Sequence, residues 1–308
     1  MRQFSLRHFD RPAATRFLIG ACALVLAQLM PVAALIHAQS PYDKGLLWRI
    51  EKAGAPASHL FGTIHLADKR VTTLSDAVRK EFDAASSFAL EVALDHGNVA
   101  VLATRMMYTD GRNLAVVAGD PLFRKIVPLT SDLGLPPDMA RLFKPWAMVL
   151  LLQMPQQDPA DVLDFILQRL ATEQGKALFS LETIDEQVAA FEKMPEKEQL
   201  ALLRHVVETH HELEAQREHL LEAYLQRDLG RLWQIGEAEL AQRPELRPLK
   251  QLFDQRLLYD RNVRMAERMQ PLLKTGSAFI AVGALHIYGE RGLLALLARD
   301  GYRITRVY

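Results

Sequence analysis

An α/β fold with a mixed central sheet, built by the two ends of the chain and interrupted by a large helical insertion, is what this sequence predicts. Three observations point to it. Strand patterns sit near both ends, in Leu46–His65 and in Ser277–Val307. Helical periodicity dominates residues 97–270 between them. Two of the apolar strand runs close the same way, in Gly62-Thr-Ile-His65 and in Gly283-Ala-Leu-His286, which places an imidazole where each strand runs out. With 308 residues, 49% of them hydrophobic, the chain has material for a substantial core.

The first residues carry Arg2, Arg7, Arg11 and Arg16, then an apolar stretch from Phe17 to Ile36 and a small-residue site at Ile36-His-Ala38. This is the pattern of an export signal, residues 1–38, leading to a periplasmic or secreted protein; the alternative is retention by residues 17–36 as a membrane anchor. A single domain is expected over residues 39–308. Cys22, the one cysteine, lies inside the signal, so the mature chain has no thiolate, and any metal there must be held by nitrogen and oxygen. Residues 39–308 hold 33 basic and 36 acidic residues, a net of −3, which removes the electrostatic case for nucleic acid. The membrane enters only through the N-terminal segment, and nothing in the sequence sets an oligomeric state.

Leu46-Leu-Trp-Arg-Ile-Glu alternates as a strand, Ala53-Gly-Ala-Pro-Ala turns, and Leu60 to His65 returns as a hairpin. Asp68 to Ala85 has helical spacing at Leu74, Val78 and Phe82, with Ser75 or Asp76 as caps. Ser87-Phe-Ala-Leu-Glu91-Val follows, with Glu91 inside an apolar strand run, where an ionised carboxylate is costly unless paired or metal-bound. Lys144-Pro-Trp146 opens a strongly apolar, buried helix, and Asp161 to Ala171 forms another. Ala177-Leu-Phe-Ser-Leu-Glu182 reads as a short strand that again ends in a carboxylate. Long helices with polar faces fill Glu186 to Gln242. Their patch Arg204-His-Val-Val-Glu-Thr-His-His211 lacks the second histidine of a zincin motif and reads as a solvated helix. Asp254 to Met269 is helical and carries Arg261-Asn262; a helix to Ala298, a turn at Gly301 and a strand from Tyr302 to Val307 finish the chain.

Taken together, Leu60-Phe-Gly-Thr-Ile-His65, Glu91, Ser180-Leu-Glu182-Thr-Ile-Asp-Glu-Gln187, Arg261-Asn262 and Gly283-Ala-Leu-His286 resemble the TraB/PrgY/GumN group, related to the Tiki-type metalloproteases. Ser180 and Val162 stand where the family often has glycine. The resemblance implies an erythromycin-esterase/ChaN-like fold in which both histidines and both glutamates meet in one cleft. It also implies a divalent-metal-dependent peptidase acting on a peptide or small-molecule substrate.

His65, Glu91, Glu182 and His286 form a reasonable ligand set for manganese, cobalt or zinc. On that reading one glutamate is a ligand and the other the general base, and Arg261, supported by Asn262, stabilises an oxyanion. Two alternatives use the same residues: a metal-free, esterase-like hydrolase with a histidine base, and an exported module that binds a ligand or signal without turnover. A purely structural reading also exists, with Glu182-Thr183 capping the next helix and Arg261 pairing with a neighbouring carboxylate.

Overall fold

The computed structural model describes residues 41–308 apart from Leu94, Gln156 and residues 242–245, so the expected signal at residues 1–38 lies outside the described residues. Six strands, β1 (Leu47–Glu51), β2 (Ser58–Thr63), β3 (Ser87–Leu90), β4 (Ala177–Ser180), β5 (Ala278–Gly283) and β6 (Arg303–Arg306), form one sheet in the order β4-β3-β5-β2-β1-β6. The predicted hairpin is present, with Trp48 of β1 opposite Leu60 of β2. β2, β5, β3 and β4 run parallel, while β1 and β6 pair antiparallel at one side. The central strand β5 reads Ala-Phe-Ile-Ala-Val and is buried throughout those residues, as expected for a parallel strand covered on both faces.

The stretch predicted as one helix from Asp68 to Ala85 is instead a single turn, Lys69–Thr72, followed by α1 (Asp76–Ala84). Ser75, one of the two predicted caps, starts the second helix: it is extended, and its hydroxyl accepts from the Val78 N–H. The insertion then runs through α2 (His96–Met106), α3 (Asp120–Asp132), α4 (Pro145–Gln153) and α5 (Leu163–Glu173) before β4. After β4 come α6 (Ile184–Glu192), α7 (Glu196–Thr209), α8 (Leu213–Leu225), α9 (Leu229–Ala241), α10 (Arg247–Phe253) and α11 (Asp260–Thr275). Past β5, α12 (Ala284–Ile287) and α13 (Leu293–Arg299) lead back to β6.

Two apolar cores result. One lies on the sheet, where the ring centroids of Phe82 and Phe88 each approach Phe279, at 5.3 and 6.4 Å. The other belongs to the insertion and is centred on α4, all nine residues of which are buried. Trp146 of α4 stacks on Phe191 of α6 at 5.6 Å, the packing role its sequence suggests. Among the described residues no helix is long and apolar enough to cross a membrane.

Candidate functional site

The four parallel strands all point their C-terminal ends at the same edge of the sheet, the edge where α/β proteins gather ligands. Register makes the convergence close: Thr63 pairs with Gly283, and Leu90 pairs with both Ala281 and Ser180. Each predicted residue therefore arrives at this rim, although none lies within a strand. Glu91 follows the last residue of β3, where sequence had placed it inside the strand run, and Glu182 lies two residues past β4. The ladder continues beyond the assigned strands through the Glu182 N–H, which donates to the Glu91 carbonyl at 2.8 Å and holds the two acidic residues side by side. His65 lies in the loop after β2, and His286 rides on the one-turn helix α12.

His286 is almost wholly buried, 1% exposed. Its Nδ1 lies 2.6 Å from Asn262 Oδ1, and the orientation of that amide is set because Asn262 Nδ2 donates to the Arg291 carbonyl at 2.9 Å. An amide oxygen only accepts, so Nδ1 carries the hydrogen and Nε2 keeps its lone pair. Nε2 has no hydrogen-bond partner among the described residues and faces Glu91 Oε1 at 3.7 Å. Burial pushes the imidazole pKa down to about 3, with the nearby Arg261 acting in the same direction and Glu91 opposing.

His65, at the opening of the site, is oriented by a residue whose role the sequence did not announce. Its Nδ1 donates to Asp164 Oδ2 at 2.6 Å, and the hydroxyl of Thr63, the last residue of β2, donates to Asp164 Oδ1 at 2.7 Å. Asp164 lies in the first turn of α5, where an acidic residue is ordinarily read as serving the helix dipole. Its one signal in the sequence was its place two residues after Val162, a position of the family pattern, with no role attached. Burial works against charge on His65, but the Asp164 carboxylate outweighs it and raises the pKa. Replacing Asp164 with asparagine removes the charge that raises the His65 pKa, so that pKa is expected to fall, a shift readable by NMR titration of the ring.

Glu91 accepts from the Gly283 N–H at 2.7 Å on Oε1, and from Arg261 Nη2 at 2.6 Å and Gln187 Nε2 at 3.3 Å on Oε2. Both oxygens of Glu182 are engaged by arginines: Oε2 accepts from Arg261 Nε and Nη2 at 2.8 and 2.7 Å, and Oε1 from Arg264 Nη1 at 2.7 Å. Arg261 Nη1 donates to the Leu257 carbonyl. A carboxylate held by two guanidiniums is a poor ligand or base, and a guanidinium spent on two carboxylates has little left for an oxyanion. Arg261 therefore meets its structural reading as the partner of a neighbouring carboxylate, whereas Glu182 is that carboxylate and not a cap: the next helix is capped by Thr183, in a capping box with Glu186.

Among the described residues no group of three or more His, Cys, Asp or Glu side chains is drawn together as a metal cluster. The donor chemistry at the rim still suits a divalent ion. His286 offers a buried, unpartnered Nε2, His65 is backed by Asp164 in the carboxylate–histidine arrangement common behind metal ligands, and Glu91 Oε1 carries one outside bond.

The two site glycines do different work. A Cβ on Gly62 would fall 2.9 Å from Ile287 Cδ1 and 3.1 Å from Ala284 Cα, so this glycine lets α12 close on the sheet. A Cβ on Gly283 would instead stand 3.3 Å from Glu91 Oε1 and 3.5 Å from His286 Cδ2, inside the site. Gly283→Val is accordingly expected to displace the Glu91 carboxylate and the His286 ring, with a thermal melt showing whether the fold persists.

The histidine patch of the insertion is not drawn into this rim. His211 is largely exposed beside Glu212, as predicted, whereas His205 is buried on α7.

A sequence profile of the TraB/PrgY/gumN family matches residues 46–306. The chain is similar to Metalloprotease TIKI2 of Danio rerio, 26% identical over 312 residues covering 84% of this chain and 60% of that protein. It is similar to Metalloprotease TIKI2 of Xenopus tropicalis at 26% identity, covering 84% and 59%, and to the uncharacterized protein YbaP of Escherichia coli (strain K12) at 22%, covering 78% and 87%. The chain thus spans about three fifths of the length of the TIKI2 proteins it matches. No solved structure gives a significant match.

Proposed function

The chain belongs to the TraB/PrgY/gumN family, and on that premise we propose that it is an exported, metal-dependent hydrolase of the peptidase type, with His65, Glu91 and His286 at its reacting centre. The observation that carries this reading is the buried, unpartnered Nε2 of His286, kept unprotonated by Asn262. A base whose pKa is near 3 accepts protons poorly at neutral pH, but its lone pair is always available to a cation. That property favours a ligand role for His286 over a general-base role. The name of the TIKI2 relatives supports the same class, and export rests on the pattern of residues 1–38.

His65, His286 and Glu91 would hold the ion. When bound, a divalent cation supplies Lewis-acid polarisation of the scissile carbonyl and eases the deprotonation of water. The remaining residues position these three. Asn262 fixes the His286 tautomer, and Asp164 fixes the ring of His65. Arg261, neutralised in part by Glu182, keeps Glu91 ionised and turned so that Oε1 faces His286. The buried Arg261–Glu182 pair thereby aims a carboxylate without competing for the ion.

The test uses protein purified without a histidine tag. About one equivalent of manganese, cobalt or zinc is expected after loading, together with cleavage in a broad peptide library, lost on chelation and restored by the ion. His65→Ala and His286→Ala should lose both. A wild-type chain that takes up no divalent ion and cleaves no peptide would falsify this reading and leave the non-catalytic binding module.

A further inference from the structure

The free Nε2 of His286 depends on the direction of one buried amide, that of Asn262, and the Arg291 carbonyl selects that direction. With the amide turned over, its NH₂ would donate to Nδ1 and the ring hydrogen would sit on Nε2 instead. Whatever holds the Arg291 carbonyl in place therefore fixes which nitrogen is free.

Arg291 lies between α12 and α13 in a tight turn, closed by the Gly292 N–H, which donates to the Gly289 carbonyl at 3.0 Å. The turn is gripped at both ends. At its start Tyr288 packs on Trp233 of α9, with ring centroids 5.8 Å apart. At its end the Arg291 side chain folds onto the π-helical segment Asp254–Tyr259 that joins α10 to α11. There the guanidinium lies 3.8 Å from the centre of the Tyr259 ring, and Nη2 donates to Gln255 Oε1 at 3.0 Å. Gln255 Nε2 donates in turn to Asp260, which leaves Oε1 facing the guanidinium. The two grips are tied to each other, because the buried Lys250 pairs with Asp254 of the π-helical segment and with Glu237 of α9 at 3.1 Å, its ammonium 4.9 Å from the Trp233 ring.

We propose that Arg291 is a positioning residue for His286: its side chain, laid on Tyr259 and Gln255 at the surface, fixes its own carbonyl and, through Asn262, the free Nε2 of the buried imidazole. The use of that lone pair rests on the hydrolase reading; the way it is held does not. Both partners of the Asn262–Arg291 bond refer to the same segment, Asn262 by following Tyr259 three residues later in the chain and Arg291 by side-chain contact. π-helical turns recur at functional sites for this kind of placement. Arg291 and Gln255 are exposed, and contacts of this kind at the surface add little to global stability, so a positioning role and a merely structural one predict different results.

The experiment reads the tautomer directly, on the full chain labelled with nitrogen-15 histidine, in chelator and without substrate, by two-bond proton–nitrogen correlation. The His286 signal is the one missing from His286→Ala. The wild type is expected to show a protonated Nδ1 and a bare Nε2. Arg291→Ala should move the Nε2 signal toward the protonated value, with a melting temperature lowered by no more than about 2–4 °C. Tyr259→Leu should do the same, whereas Tyr259→Phe, which keeps the ring, should match the wild type. The assignment is overturned by a wild type with its hydrogen on Nε2, by wild-type ring signals in Arg291→Ala, or by equal changes in Tyr259→Phe and Tyr259→Leu. A change seen only with a melting temperature lowered well beyond that range overturns it too. No outcome depends on turnover, so a chain that shows the expected pattern and cleaves no peptide loses the hydrolase reading alone.

Discussion

Arg261→Met is expected to destabilise the fold by about 3–5 kcal/mol, measured as a shift in urea midpoint at constant slope. Arg261 is 2% exposed and is the group that offsets both Glu91 and Glu182 in the interior. Removing it leaves two buried carboxylates, with only the half-exposed Arg264 still on Glu182. The double variant Arg261→Met/Glu182→Met removes one of those orphaned charges along with its partner, so it should recover a large part of the loss.

The pH dependence supplies an independent reading. Burial by itself would raise the Glu91 pKa, but Arg261, the two histidines and the Gly283 N–H together outweigh it and hold the carboxyl well below the usual range. A carboxylate depressed in the folded state stabilises above its unfolded value near ~4.3, and that contribution is lost as the pH falls through the acid range. Without Arg261, only the Gly283 N–H and the two histidines oppose burial, so the depression shrinks and the variant should lose less stability than the wild type on acidification. An Arg261→Met chain as stable as the wild type at neutral pH, with the same acid limb, would contradict the buried-pair account.

The second large effect concerns chemistry. His286→Ala is expected to lower kcat/KM on any cleaved peptide by three orders of magnitude or more, about 4 kcal/mol of transition-state stabilisation. Asn262→Leu, which leaves the imidazole in place, should cost about 10- to 100-fold, because the hydrogen no longer has a fixed place on Nδ1 and Nε2 is no longer held as acceptor. Metal affinity should fall with activity in both, while melting temperature separates a positioning defect from a folding one. If Asn262→Leu retains full activity and metal affinity, tautomer control through the Arg291 carbonyl is not how His286 is prepared.

Much of this arrangement was legible in the linear chain because it depends on local rules. Hydrophobic runs closed by a glycine and a histidine marked where β2 and β5 end, and the apolar run before Glu91 marked β3. A chain that alternates parallel strands with helices must bring those ends to one edge, so His65, Glu91, Glu182 and His286 could be named together. Their division of labour could not. Glu91 and Glu182 look alike in sequence, each following a short apolar strand, yet one faces a histidine and the other faces two arginines.

That difference arises from α11, whose Arg261, Asn262 and Arg264 arrive from about 80 residues beyond Glu182 and whose placement depends on how the insertion packs. Asp164 is a similar case, because only the approach of α5 to the end of β2 turns a first-turn aspartate into the partner of His65. The sequence by itself therefore determined the sheet-and-insertion plan and the set of residues at its rim, since periodicity and strand ends are properties of neighbouring positions. Only the tertiary structure decided which imidazole nitrogen is free and which carboxylate is already neutralised, since burial and hydrogen-bond geometry are set by groups far apart along the chain.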